Sequence, residues 1–208
     1  MKGLRYNVMR NELSKSIDQL PPGAEVFLTF FSGPAWVAGE DPKEVRQHWE
    51  KSGNTVKLKK NAPRPKIKWT RIAKSSKNKL LDHIKDTPMS YGTDWANPFR
   101  LVFDLQPKPD VVYFMTDGSP QAKNEQEVIK MVKEWNAKTG RKIPINAIAI
   151  GDPRIAKNME GLAKDSNKGQ FTVVDTSKYK FTMGFKRDDG GPANKNKNKG
   201  NKNKKKKT

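Results

Sequence analysis

The residues best placed for chemistry are one carboxylate and one hydroxyl, each in a turn beside a glycine. Val111-Val112-Tyr113-Phe114-Met115-Thr116-Asp117-Gly118 is a short apolar run that ends abruptly in Thr-Asp-Gly. In an open α/β sheet, ligands gather at the carboxyl ends of the strands. Asp117 therefore stands where such a fold would place a metal or phosphate contact. The same residue also suits a turn, its carboxylate bonding nearby backbone ahead of Gly118. Upstream, Ser90-Tyr91-Gly92-Thr93-Asp94 reads as a loop. Thr93 suits a hydroxyl that caps a nearby helix, and Asp94 suits the entry to that helix.

Other chemical constellations are missing from the sequence. It contains no Cys, which excludes a thiol nucleophile and a disulfide framework. His48 and His83 fall on separate predicted helices, neither with a second His at helical spacing, so no zinc helix motif forms. Neither GxxxxGK[ST] nor GxGxxG occurs, and Gly151-Asp152-Pro153 closes a strand without phosphate-loop spacing. No Ser-His-Asp set or carboxylate pair stands out. The chain reads as non-enzymatic, with no catalytic and no cofactor-binding residues to nominate.

The elements that must position Thr93 and Asp117 follow from periodicity. Leu4, Val8, Met9, Leu13, Ile17 and Leu20 recur at spacings of three and four, predicting an amphipathic helix over 4–20 that Pro21-Pro22-Gly23 stops. Glu25 to Phe31 is β-branched and aromatic enough for one buried strand, with 36–38 returning beside it as a short edge strand. Asp41-Pro42 opens a helix to about Lys51, with Val45 and Trp49 on one face. Residues 54–75 are basic, with Pro63 and Pro65, and read as an extended surface segment. Helices are expected from Ser76 to Thr87, from Pro98 to Leu105, over 124–139 and over 155–165. Strands are expected to end at Asp117 and to span 145–150 and 169–174, with a final element over 179–185. Apolar strands alternating with helices predict an α/β fold, Rossmann-like, with a mostly parallel central sheet flanked by helices.

Charge divides the chain into residues 1–185, the folded domain, and 186–208, a disordered tail rich in Lys and Asn. From Ala193 to the end there are eight Lys, five Asn and no acid, a composition that cannot bury enough surface to offset ordering entropy. With those lysines set aside, 34 basic residues still face 22 acids. A second basic cluster spans 57–85, where Asp82 is the sole acid. Such a balance attracts polyanions such as nucleic acids or acidic polymers, through the tail and the 57–85 segment. No apolar run approaches the roughly 20 residues that span a bilayer, and the first residues lack the apolar core of a signal peptide, so the chain reads as soluble. Nothing in it indicates a compartment.

Taken in order, these features resemble a von Willebrand factor A domain. The predicted first helix, Leu20-Pro21-Pro22-Gly23 and the strand ending Phe30-Phe31-Ser32 resemble the family's first helix and second strand. Gly92-Thr93-Asp94 resembles its Gly-Thr-Asp/Asn loop, and Val111 to Gly118 its strand ending in Thr-Asp-Gly. Ala149-Ile150-Gly151, Leu162-Ala163 and Gly169-Gln170-Phe171 resemble its last two strands and the helix between them. The resemblance implies a protein-binding or adhesion-type module built around a metal-ion-dependent adhesion site. It assigns Thr93 and Asp117 as metal ligands, Mg²⁺ as the cation, and an acidic residue of a protein partner as the group completing the octahedron. The family's first strand and its Asp-x-Ser-x-Ser loop are missing. A start codon assigned too late and a true truncation both account for this, and the abrupt onset of the match favours the first. The resemblance further implies that a sheet without its central strand carries exposed apolar edges and an open core.

Overall fold

The first half of the chain folds as three short antiparallel strand pairs and three helices. The computed structural model describes residues 2–53, 55–90, 92–120, 125–151 and 153–179, with the side chains of 2 and 153–156 excepted. Helix α1 (Lys2–Asp18) turns its apolar stripe inward, burying Val8 and Ile17. The expected strand over 25–31 is two: β1 (Glu25–Val26) and β2 (Thr29–Phe31). β2 pairs antiparallel with β3 (Ala35–Val37), the expected return strand. Helix α2 (Pro42–Gln47) opens with the Asp41 carboxylate accepting from the Lys43 N–H at 2.8 Å, as its Asp-Pro start predicts. It ends earlier than expected, because Trp49 lies in β4 (Trp49–Ser52), which pairs antiparallel with β5 (Thr55–Leu58).

Most of 54–75 is extended, and its last part, β6 (Thr70–Arg71), pairs with β1. That is why the 25–31 stretch divides: its two ends have different partners. Helix α3 (Lys74–Asp86) follows, with Ser76 accepting from the Ala73 N–H at 2.8 Å to satisfy one of the free amides at the helix start. α1, α3, β1 and β6 close a small apolar core of Ile17, Ile72, Leu80 and Ile84.

The second half alternates as expected. Helix α4 (Ala96–Asp104) leads into β7 (Val112–Thr116), then α5 (Glu125–Ala137), β8 (Ile145–Ile150), α6 (Pro153–Lys164) and β9 (Phe171–Val174). A 3₁₀ turn, Thr176–Lys178, ends the described chain. β7, β8 and β9 form one parallel sheet in that order, with Val112 opposite Ile145 and Ala147 opposite Phe171. β8 is central and reads Ile-Asn-Ala-Ile-Ala-Ile, the near-continuous apolar run of a strand covered on both faces. The main core gathers here, including Trp95, Phe99, Phe114, Val132, Ile145 and Met159. The fold is α/β and Rossmann-like, with its parallel ladder confined to three strands. The tail expected over 186–208, and 180–185 of the expected last element, lie outside the described residues.

β2 and β7 do not pair; an open slot of about 520 Å³ lies between them. α1 lines it with Tyr6, Met9 and Leu13, and the aromatic cluster lines it with Phe31, Phe99 and Phe114. Met89, Val111 and Tyr113, large apolar residues on or next to this slot, are exposed, Tyr113 to 69%. β7 thus has an unpaired edge, while Phe99 and Phe114, aromatic residues lining the slot, are buried.

Phe114 sits where the two halves meet. Its ring stacks on Phe31 at 5.5 Å between centroids, meets Trp95 edge-on at 5.5 Å and leans on Phe99 at 4.8 Å. Phe114→Ala should cost about 3–5 kcal/mol, read as a lowered denaturant midpoint with an unchanged m-value. On the surface of α1, Lys15 and Tyr179 donate to the Glu12 carboxylate at 2.9 and 2.6 Å and hold its pKa below the ordinary carboxylate value. A depressed carboxylate pKa contributes stability above its unfolded value, and that contribution is lost as pH falls through the folded one. Acidification through the carboxylate range should therefore release Tyr179 from α1. Glu12→Gln should remove this pH dependence of the Tyr179 ring signals in NMR.

Candidate functional site

Three loops converge at the carboxyl end of the sheet: Ser32-Gly33-Pro34 after β2, Gly92-Thr93-Asp94 before α4, and Asp117-Gly118 after β7. Backbone and side-chain hydrogen bonds fasten them. The Asp94 N–H donates to the Ser32 carbonyl at 2.7 Å. The Asn97 amide, buried at the start of α4, donates to the Gly33 carbonyl at 2.9 Å and the Val56 carbonyl at 3.1 Å. The Trp95 indole N–H donates to the Gly118 carbonyl at 3.2 Å, joining the second loop to the third.

Two glycines permit this approach. Gly92 has φ +105°, and a Cβ there would also meet the Gly33 nitrogen at 3.1 Å. A Cβ on Gly118 would lie 3.1 Å from Thr93 Oγ1. The Thr93 hydroxyl is thus packed directly against the Thr-Asp-Gly turn, so the two residues singled out in the sequence are brought to one corner. Thr116 steadies the turn, its hydroxyl within 3.1 Å of the Gly118 carbonyl.

Asp94 has a different task. It is buried, and its carboxylate accepts from the Ala96 N–H at 2.9 Å and from the Thr55 hydroxyl of β5. It enters α4 and clamps β5 to the loop at once. Two further residues complete the corner that sequence reasoning did not single out. Arg5 of α1 donates to the Asp117 carbonyl at 3.4 Å. Arg46 of α2 donates to the Ser90 hydroxyl at 2.9 Å, and Ser90 in turn lies 3.4 Å from the Ser32 hydroxyl. Both arginines are far away in sequence, and no local spacing links them to Thr93 or Asp117.

As a metal centre the corner is underfurnished. Mg²⁺ takes a near-ideal octahedral oxygen shell. Thr93 and Asp117 offer one hydroxyl and one carboxylate, while the Asp94 carboxylate is engaged in holding the loops. Among the described residues, no group of three or more His, Asp or Glu gathers where it could hold a metal ion. Thr93 and Asp117 would supply at most two oxygens of such a shell, and the remaining ones would have to come from water or from another molecule.

A parallel sheet under helices, with its working loops at the strand carboxyl ends, defines the class to which this chain belongs. The sequence profile of the von Willebrand factor type A domain matches residues 54–171, and the chain belongs to that family. Among solved structures, it is similar to a von Willebrand factor type A protein from Catenulispora acidiphila, at 14% identity and a TM-score of 0.59. That match covers 84% of this chain and 35% of the other, so the chain spans about a third of that protein's length. It is also similar to the conserved hypothetical protein BatB from Bacteroides thetaiotaomicron, at 15% identity and a TM-score of 0.51, covering 82% of this chain and 80% of that one. Both likenesses are of fold. No curated protein sequence matches the chain.

Asp94→Ala should cost about 2 kcal/mol in urea unfolding, since it removes a cap and leaves the Ala96 amide without its acceptor. Gly118→Ala should cost about 1 kcal/mol, because the added methyl presses on the Thr93 hydroxyl. Thr93→Ala in the Gly118→Ala background should recover part of that loss, and Thr93→Ser, which keeps the hydroxyl, should not.

Proposed function

We propose that the chain is a non-catalytic protein-binding module that engages its partner with the face around Thr93 and Asp117. The observation that carries this reading is the convergence of three loops on one corner, held by Asp94, Trp95 and Asn97. Hydrogen bonds fix the corner before any partner arrives, so little ordering cost is left for binding. Arg5 and Arg46 reach the loops that form it, which suits a partner presenting an acidic residue. Mg²⁺ bridging Thr93 and Asp117 to that acidic residue is the metal-assisted form of the same contact.

The test is affinity capture on the immobilised chain, repeated with Asp117→Ala and with EDTA. A protein retained by the wild type should be lost with Asp117→Ala. Loss in EDTA identifies the metal-assisted form, and retention in EDTA rules it out for this chain. A partner captured equally well by Asp117→Ala overturns the assignment of this face.

A second reading has its own support. Of the eleven basic residues between Lys57 and Lys85, ten are exposed, Lys77 being the half-buried exception. Lys57 pairs with Glu50 at 3.4 Å, an exposed pair of little energetic weight. Such a surface suits a polyanion, such as a nucleic acid or an acidic polymer, with the Lys-rich segment beyond 193 adding to it. Binding to a short DNA duplex should then weaken steeply with added salt, and deletion from Gly191 onward should flatten the slope. An affinity that ignores salt sinks this reading and leaves the first one standing.

A further inference from the structure

We propose that single-stranded nucleic acid binds across the amino-terminal end of the parallel sheet, the end opposite the three-loop corner. This rests on the polyanion reading and places its site on a surface assembled from segments far apart in sequence. Each crossover in a parallel sheet returns the chain to the amino end of the next strand. The connections 105–111, 138–144 and 165–170 therefore lie together there, ahead of β7, β8 and β9. One bond fastens the basic 57–85 stretch to the same end: the Trp69 indole N–H donates to the Pro107 carbonyl at 3.0 Å. Arg141 braces the surface, donating to the Lys108 and Pro109 carbonyls at 3.0 and 2.9 Å and to the Asp110 carboxylate at 2.8 Å.

Charge is sorted along the strands. The amino-end segments 66–69, 105–111, 138–144 and 165–170 hold seven basic residues against two acids. Both acids are already paired, Asp110 with Arg141 and Asp165 with Lys133. Lys66, Lys68, Lys138, Lys142 and Lys168 are exposed, and none of them pairs with an acid among the described residues. The carboxyl-end loops 32–34, 90–95 and 117–120 hold Asp94 and Asp117 and no Lys or Arg. The strands between the two ends are five and six residues long, which sets the ends about 20 Å apart. That is more than twice the Debye length of about 8 Å at physiological salt, so a polyanion at one end leaves the other electrostatically undisturbed.

Trp69 selects the ligand. It is half-buried beside Lys68, and its N–H is spent on Pro107, so its ring is what remains for contact. A ring among lysines suits a single strand, whose phosphates meet the cations while an unstacked base lies on the aromatic face. In a duplex the bases are covered by one another, and acidic polysaccharides carry none.

The experiment follows a labelled oligothymidylate by fluorescence anisotropy on the full chain at increasing salt. The wild type should bind with a steep salt dependence. Combining Lys68→Gln, Lys142→Gln and Lys168→Gln should weaken binding about tenfold or more. It should also flatten the slope of log affinity against log salt by about 2, since each phosphate contact on a single strand contributes about 0.7. Combining Lys43→Gln, Lys51→Gln and Lys130→Gln, exposed lysines elsewhere, should weaken it about threefold at most. Trp69→Phe keeps a ring and should retain more affinity than Trp69→Leu, although both lose the bond to Pro107. On the wild type, amide NMR signals of 68–69, 141–142 and 167–168 should shift on titration and that of Gly118 should not, which locates the site even if a variant fails to fold. Binding that survives the Lys68, Lys142 and Lys168 changes, with no shifts at those amides, overturns this surface and leaves the polyanion reading with the other lysines. Heparin bound as tightly as the oligonucleotide, with Trp69→Leu equal to Trp69→Phe, overturns the nucleic-acid assignment. No binding of either polymer by the wild type overturns the polyanion reading and this proposal together.

Discussion

Phe114 is the contact on which the two halves of this molecule depend. It lies on β7, the outer strand of the parallel sheet, and its ring reaches Phe31 on β2 and Trp95 and Phe99 around α4. No backbone ladder joins β2 to β7, so side-chain packing must do there what hydrogen bonding does elsewhere in a sheet. Aromatic rings suit that task. Each buries a large area and each pair has a preferred geometry, so they fix distance and tilt together. The arrangement of the corner loops follows: Trp95 packs on Phe114 through its ring and holds Gly118 through its indole N–H.

Packing and polarity divide the work at that corner. The apolar parts set where α4 begins, and the buried Asp94 and Asn97 then select one arrangement of the loops by satisfying specific backbone groups. A buried carboxylate is costly unless its lone pairs are used. Asp94 meets that condition by accepting from Ala96 and Thr55, which draws β5 against the start of α4. Thr93 and Asp117 are left at the rim of the same framework.

The second half of this architecture was legible in the sequence, and the first half only partly. β7, α5, β8, α6 and β9 each carry enough regular apolar residues to announce themselves, and the alternation between them leads to a parallel sheet. Thr93 and Asp117 were legible as loop residues, and the structure does bring their loops together. Trp49 shows where periodicity fails. Its spacing from Val45 suits a helix, yet it lies in β4, because pairing with β5 outweighs a weak local pattern. The stretch over 25–31 looks like one strand because composition carries no record of which neighbours each residue will meet. Arg5, Arg46 and Thr55 touch the corner from positions 39 or more residues away in sequence, and their part in it is settled only by tertiary packing.

The division into two apolar clusters has a consequence for how the molecule comes apart. The larger cluster draws its buried members from Trp95 to Ala163, and the smaller from Ile17 to Ile84, so each is nearly contiguous along the chain. Contiguous clusters behave as cooperative units that open with separate free energies. The smaller has four buried members and short two-residue strands, so it should open at the lower free energy. The chain should then behave as a two-tier solid: under mild stress the amino-terminal tier should loosen first, and the contacts of α1 with the second half, Arg5 to Asp117 and Glu12 to Tyr179, should be lost with it.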